Sequence, residues 1–316
     1  MKTMHAKRFL LFFIDGLGVG EDDPSFNPLA TGRFPSLALT EARTPTSDVG
    51  PPAMAGGVDA SLGVPGLPQS ATGQTAILTG VNAPAVMGHH LSGFPGPTLR
   101  RVLMERSILK RIVAAGSDAD FLNAFGPRFF QRPEGVRRMS ATTLATLASG
   151  RPFRTWEDLV AGKAVVHDLT HWRMRDYGFD LPARTPEEAG RIVARESQAT
   201  NFSLFEYFET DRAGHAQDRE RALRCLEDLD RALRTVLVEV DLSTTTVTVV
   251  SDHGNVEDER VGTHTRHPAF FAAWGAGATG PMPRSLTDIV PFAFRALGIE
   301  EAPDAAPETT TGAPGP

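Results

Sequence analysis

Cysteine is nearly absent: Cys225 is the single one in 316 residues. That excludes an internal disulfide framework and any multi-thiolate metal cluster. Positive charge is also short, with 32 Lys and Arg against 38 Asp and Glu, a net charge of -6. Such a balance argues against a protein that coats nucleic acid or an anionic membrane surface. No stretch approaches the ~18 apolar residues of a membrane span, and no internal repeat is visible. What remains is average: 41% hydrophobic and 22% charged residues, as in an ordinary soluble globular protein. A cytoplasmic location is the expectation. The length sets a prior of about two domains.

The basic start, Met1 to Arg8, followed by the apolar run Phe9 to Ile14, imitates a signal peptide. The run is shorter than the roughly 7–15 apolar residues required and ends on Asp15-Gly16 instead of a small-residue cleavage site. Residues 301–316 are mostly Pro, Ala, Thr and Gly and are expected to be a disordered tail.

Between the ends, strand and helix patterns alternate. Arg8 to Ile14 reads as a strand buried on both faces. Thr98 to Ala115 has helical spacing, Ala119 to Phe125 and Asn201 to Phe208 read as strands, and Asp218 to Val240 is the clearest amphipathic helix. Thr244 to Val250 is a β-branched strand, Pro268 to Trp274 another, and Leu286 to Leu297 a closing helix with Thr287 as a candidate cap. The pattern predicts an α/β fold with a mainly parallel central sheet and helices on both faces. Ligands of such sheets bind beyond the carboxyl ends of the strands.

Chemistry-bearing residues gather there. The first strand ends at Asp15; the Asn201 to Phe208 strand runs into Asp211-Arg212-Ala213-Gly214-His215; Thr244 to Val250 ends in Ser251-Asp252-His253-Gly254-Asn255; and Gly262-Thr263-His264-Thr265-Arg266-His267 precedes the last strand. Carboxylates and imidazoles at one sheet edge repel or stay unsatisfied unless positive charge sits among them. A pair of divalent cations suits oxygen and imidazole donors, Zn²⁺ or Mn²⁺. Only one of His264 and His267 need be a ligand, and His89, His90, His167 and His171 lie outside the strand ends. Taken singly, Asp15-Gly16 is also ordinary turn chemistry, and Asp211 an ordinary helix-cap type. A hydroxyl for the metals to activate comes from Pro68-Gln69-Ser70-Ala71-Thr72-Gly73-Gln74-Thr75, just before an apparent helix start at Ala76. A helix N-terminus favours an anionic phosphate. Ser70, Thr72 and Thr75 all qualify by spacing, and a serine before a helix is also the preferred cap.

In this order the motifs resemble the alkaline phosphatase superfamily, more narrowly the branch of cofactor-independent phosphoglycerate mutase and phosphopentomutase. Asp15-Gly16-Leu17-Gly18-Val19-Gly20-Glu21 is similar to the first metal loop of phosphopentomutases, and Asp252-His253-Gly254-Asn255 and His264-Thr265-Arg266 to later ones. In Ser70-Ala71-Thr72-Gly73 the resemblance selects Ser70, three before the glycine, as the phosphorylated nucleophile. It implies two divalent ions, Mn²⁺ first and Zn²⁺ as the alternative. Asp211, His215 and His264 would hold one, and Asp15, Ser70, Asp252 and His253 the other. Gln74 stands where the mutases usually have His; with Thr72 and Arg266 it is a candidate substrate contact. Residues 1–126 and 198–300 would form the catalytic core, and 127–197 a small, mostly helical inserted cap. That insert carries 12 basic and 9 acidic residues, an expected basic lid over a phosphate site. A short cap retains an intermediate poorly, so hydrolysis of a small phosphate monoester ranks ahead of a phosphomutase acting on a phosphosugar or phosphoglycerate. Phosphodiester or sulfate ester cleavage follows, and a non-catalytic metal-binding protein comes last. The expected partner is a small phosphorylated metabolite, not nucleic acid or membrane.

Overall fold

The apolar run at the start of the chain becomes the middle of the sheet. In the computed structural model, which describes residues 7–131 and 139–300, Arg8–Ile14 is strand β1, with Phe9 through Ile14 all buried. Then follow β2 (Met54–Val58), α1 (Ser70–Thr79), α2 (Ala83–Met87), α3 (Pro97–Arg106), α4 (Ile108–Ala114), β3 (Ala119–Phe121) and α5 (Pro127–Gln131). The middle contains α6 (Ala141–Ser149), α7 (Trp156–Val160), α8 (Trp172–Asp176) and α9 (Pro186–Ser197). The last part is β4 (Phe202–Tyr207), α10 (Glu209–Ala216), α11 (Arg219–Glu239), β5 (Thr245–Ser251), β6 (Ala269–Trp274) and α12 (Ile289–Leu297).

The six strands lie in the order β2-β6-β5-β1-β4-β3. β1 pairs in parallel with β4 and β5, and β3 with β4. Only β6 runs against its neighbours β5 and β2. Side-chain alternation splits β1 between two cores. Phe9, Leu11 and Phe13 pack with Ile77, Leu103, Ile112, Leu144 and Phe292, under α1, α3, α4, α6 and α12. Leu10, Phe12 and Ile14 pack with Val193, Leu226 and Leu233, under α9 and α11. The mainly parallel sheet covered on both faces is therefore present.

Three local expectations change, and one strand had none. The helix expected over Thr98 to Ala115 breaks at Ser107, whose ψ of 142° is non-helical and whose hydroxyl caps the Lys110 N–H and donates to the Ala145 carbonyl on α6. β2 had no periodic signal because Gly56 and Gly57 occupy its centre; a Cβ on Gly57 would lie 2.5 Å from Pro268. The closing segment opens with a 3₁₀ turn over Leu286–Asp288, closed by Asp288 accepting from the Ser285 N–H; Thr287 lies inside that turn and the last helix begins only at Ile289. The strand expected to Phe125 stops at Phe121.

Residues 127–197, the expected cap or lid, also contribute to the two main cores. α6 contributes Ala141, Leu144 and Ala145 to one core and α9 contributes Ala189, Ile192 and Val193 to the other. Between them, Leu159, Ala164, Val166 and Leu181 form a separate small cluster with Trp156, Met174 and Phe179. Arg154 ties this lid to Asp120 on β3 and to Glu196 on α9. Its other anchor is Glu209, a fully buried carboxylate at the start of α10 that faces Arg173 and His167 from the lid and Arg212 and Arg221 from the core helices. Arg132, Arg137 and Arg138 and the tail expected from 301 onward lie outside the described residues.

Burial acts to raise the Glu209 pKa, but the neighbouring His167, Arg221 and Arg212 outweigh it and hold the carboxyl down at about 2. The shift below the ordinary value of 4.5 corresponds to roughly 2–3 kcal/mol of stability, present above pH ~4.5 and lost as pH falls towards 2. Glu209→Gln is expected to lose that amount in urea unfolding at pH 7 and to lack that acid-dependent loss. An unchanged midpoint at pH 7 would refute the anchor.

Candidate metal and phosphate site

Every sequence-selected strand end reaches the same edge of the sheet. The parallel register aligns Ile14 with Tyr207 on one side and with Ser251 on the other, so Asp15, α10 and Asp252 emerge together. Because β6 runs in the opposite direction, the loop before it, with His264, meets them there. Two glycines permit this approach. Gly16 has φ +73°, and a Cβ on it would lie 2.8 Å from the Asp211 Cβ. A Cβ on Gly73 would lie 2.8 Å from the Asp252 carbonyl oxygen, so this glycine lets the start of α1 close on the cluster.

The side chains form two overlapping groups. His253 Nε2 is 3.3 Å from Asp15 Oδ1 and 3.5 Å from Asp252 Oδ2. Asp211 Oδ1 is 3.4 Å from His215 Nε2 and 3.5 Å from His264 Nε2, and the two imidazole nitrogens are 3.1 Å apart. The His253 and His264 rings stack with centroids 3.7 Å apart, which joins the groups. Asp15, Asp252 and His253 offer three donor atoms within 4.8 Å of one another, and so do Asp211, His253 and His264.

The imidazole tautomers follow from their second nitrogens. Nδ1 of His264 faces the Pro68 carbonyl at 2.8 Å, Nδ1 of His215 the Gly262 carbonyl at 3.1 Å, and Nδ1 of His253 the Gly254 carbonyl at 3.4 Å. A carbonyl only accepts, so each Nδ1 carries the proton and each Nε2 turns a lone pair into the cluster. Burial, then the neighbouring Asp252 and Asp211, push the Asp15 pKa well up, with Gln74 opposing by donating to Asp15 Oδ2 at 3.1 Å. Asp252 is pushed up by burial and by Asp211. Burial and the neighbouring His264 push His253 well down. Asp15 Oδ1 and Asp252 Oδ2 are buried without a hydrogen-bond partner. Unpartnered carboxylate oxygens facing unprotonated imidazole nitrogens fit divalent cations and little else.

Ser70 does not cap its helix. The cap position is Gln69, which makes no side-chain cap bond; Ser70 is the first residue of α1, which starts six residues before Ala76. Its hydroxyl is 3.0 Å from His253 Nε2, to which it donates. Thr72 is fully buried and bonded to the Gln69 carbonyl and the Leu91 N–H, which removes it as a substrate contact. Thr75 bonds back to the Ala71 carbonyl. Arg266 lines a different cavity, of about 460 Å³, with Pro68 and Asp59. His267 sits on Glu257 at 3.0 Å, outside the ligand groups.

Ser70 opens into a cavity of about 560 Å³ whose base also includes Asp15, Gln74 and Asp211. Sequence reasoning missed several of its residues: Glu206, Asn123, His167, Phe94 and Phe208. Glu206 was detectable as the one charged residue in a fully buried strand; burial raises it to about 7 although Thr142 donates to it at 2.8 Å. Glu257 was missed as well. It is fully buried and accepts from the Gly18 and Asn255 N–H groups, Thr265 Oγ1 and His267 Nδ1, pinning three of the ligand-bearing loops. The expected basic lid is corrected: among the described residues of 127–197, no Arg or Lys lines this cavity. Arg154, Arg173 and Arg184 instead bind carboxylates or backbone carbonyls within the fold.

Known proteins share parts of this arrangement. Residues 180–301 match the sequence model of the Metalloenzyme superfamily. 2,3-Bisphosphoglycerate-independent phosphoglycerate mutases are similar over part of the chain: that of Ruegeria pomeroyi is 24% identical over 43% of this chain and 29% of its own length. That of Roseobacter denitrificans is 29% identical over 43% and 28%. The chain thus matches less than a third of the length of these relatives. A structure from Pyrococcus horikoshii superposes on 96% of this chain and 100% of its own, with TM-score 0.59 and 16% identity. The alkaline phosphatase of the Antarctic bacterium TAB5 superposes on 94% and 100%, with TM-score 0.50 and 14% identity. Residues 180–301 thus carry the signature of the Metalloenzyme superfamily, and the fold is similar to that of an alkaline phosphatase.

Proposed function

We infer that the protein is a phosphotransfer enzyme that hydrolyses a small phosphate monoester through a phosphoserine on Ser70. The observation that carries this reading is the placement of the Ser70 hydroxyl: free of capping, bonded to His253, at a helix N-terminus and open to the cavity. Asp211, His215 and His264 would hold one divalent ion and Asp15, Ser70, Asp252 and His253 the other, with His253 in reach of both groups. Oxygen and imidazole donors suit Mn²⁺, with Zn²⁺ as the alternative. Bound there, the ions neutralise charge on the transferring group and lower the pKa of the serine hydroxyl.

The chain's own groups do the rest. The N-terminal end of α1 directs partial positive charge at the phosphoryl oxygens. Gln74 orients Asp15, Asn255 donates to Asp211 Oδ1 at 2.7 Å, and Glu257 holds the loops. Ser70 Oγ bonds to phosphorus as the ester oxygen leaves as an alcohol with a proton. Water then attacks phosphorus and releases inorganic phosphate and free Ser70. Hydrolysis is favoured over mutase chemistry because, among the described residues of 127–197, His167 and no Arg or Lys faces the cavity to hold a dephosphorylated intermediate for return transfer. The partial relatives are mutases by name, so isomerised product without free phosphate is the outcome that overturns this preference.

With Mn²⁺ supplied, Ser70→Ala is expected to lose phosphate release from a general aryl phosphate by on the order of 10³-fold or more. It should also lose the acid-stable phosphoryl label on the protein while metal binding persists. Release that survives the substitution removes Ser70 as nucleophile. Asp252→Asn is expected to raise the thermal midpoint of the metal-free protein, because the buried carboxylate's charge is unfavourable without a cation. Saturating Mn²⁺ should raise the wild-type midpoint by several degrees, by binding the folded state alone. The same variant should lose most of that rise. A midpoint indifferent to metal in the wild type contradicts the ligand assignment.

A further inference from the structure

The cavity beyond Ser70 has two unlike ends. Its base is the ligand cluster. Its far wall is aromatic, built by Phe94, Phe121, Phe125 and Phe208. Three of these rings are held by others: Phe125 lies 4.9 Å from Phe153, 4.4 Å from Phe129 and 6.0 Å from Phe121. Phe208 stacks on His167 at 4.0 Å, with the Arg212 guanidinium 4.8 Å from its centroid. Phe94 differs: it follows Gly93 in the turn after α2, stands at the rim and is 54% exposed. A large apolar ring left in water at the mouth of a polar site is informative where a scattered surface leucine is not.

Several polar groups of the same wall are already engaged. Asn123 donates to the Glu206 carbonyl and accepts from the Glu206 N–H. Ser140 bonds to Thr142 and Thr143, and Arg212 is paired with Glu209 and Tyr177. A sugar or glycerate would present hydroxyls and a carboxylate to groups that already have partners. A flat apolar group would instead meet the exposed Phe94 ring at the rim of the aromatic wall, in a volume within the range of ordinary ligand cavities.

We propose that the cavity selects phosphate monoesters whose alcohol carries an aromatic or comparably flat apolar group, with Phe94 as the rim residue that sets this specificity. The inference rests on phosphotransfer at Ser70 for its meaning, but it concerns recognition and is testable by binding alone. Non-hydrolysable phosphonates remove the advantage that aryl esters gain from a better leaving group.

Benzylphosphonate and 2-carboxyethylphosphonate share the phosphonate and differ in the group that faces the wall. Calorimetric titration of the Mn²⁺-loaded protein is expected to show benzylphosphonate bound on the order of 10-fold more tightly, from aromatic contact. Phe94→Ala should abolish most of that preference and leave 2-carboxyethylphosphonate unaffected, whereas Phe94→Tyr should keep it. Equal or tighter binding of the carboxylate compound overturns the proposal, as does a Phe94→Ala loss shared by both ligands. Selective phosphonate binding without any phosphoserine would sink the catalytic reading and leave this one standing; phosphoserine formation with no aromatic preference would do the reverse.

Discussion

The structure is organised around an electrostatic deficit. Three carboxylates, Asp15, Asp211 and Asp252, and three imidazole lone pairs converge at the carboxyl edge of one sheet, Asp252 fully enclosed and Asp15 nearly so, with no Arg or Lys in direct contact with them among the described residues. Bringing such groups together without water costs several kcal/mol per buried charge. Cations among them convert that cost into affinity. The surrounding design maintains the deficit. Glycines let backbones approach where a Cβ would collide, the Pro68, Gly254 and Gly262 carbonyls set each tautomer, and the buried Glu257 acts as a clasp across three loops. The sheet supplies the frame, since parallel neighbours deliver their ends to one edge.

Positive charge is used away from this centre. The lid's arginines are spent on Asp120, Glu196 and Glu209, fastening the lid to the sheet and to α10. Glu209 begins the same helix that carries Asp211 and His215, so the lid and one ligand pair share a mounting.

Much of this was legible in the sequence because strand ends are marked by an abrupt change of chemistry. A run such as Phe9 to Ile14 can only be interior, and an aspartate directly after it has to emerge at an edge; the same logic located Asp252 and His253. The illegible parts have a different physical character. Glu257 and Glu206 act through hydrogen bonds between segments far apart in the chain, and nothing adjacent to them signals it. Ser107 breaks a periodic helix by tertiary bonding to α6, β2 is a strand made by close backbone approach at two glycines, and the lid arginines look available until their carboxylate partners are seen. Arg266, two residues after His264 in sequence, lines a different cavity.

β1 is the first strand in the chain, yet it is inserted between β4 and β5, two of the last to appear. Asp15 therefore remains without its ligand partners until more than 250 residues exist and the sheet closes around β1. Closing such distant pairings makes folding slow relative to helical bundles of similar size. It also means that the candidate metal site draws on both ends of the fold: a chain truncated before Asp252 lacks part of the donor set.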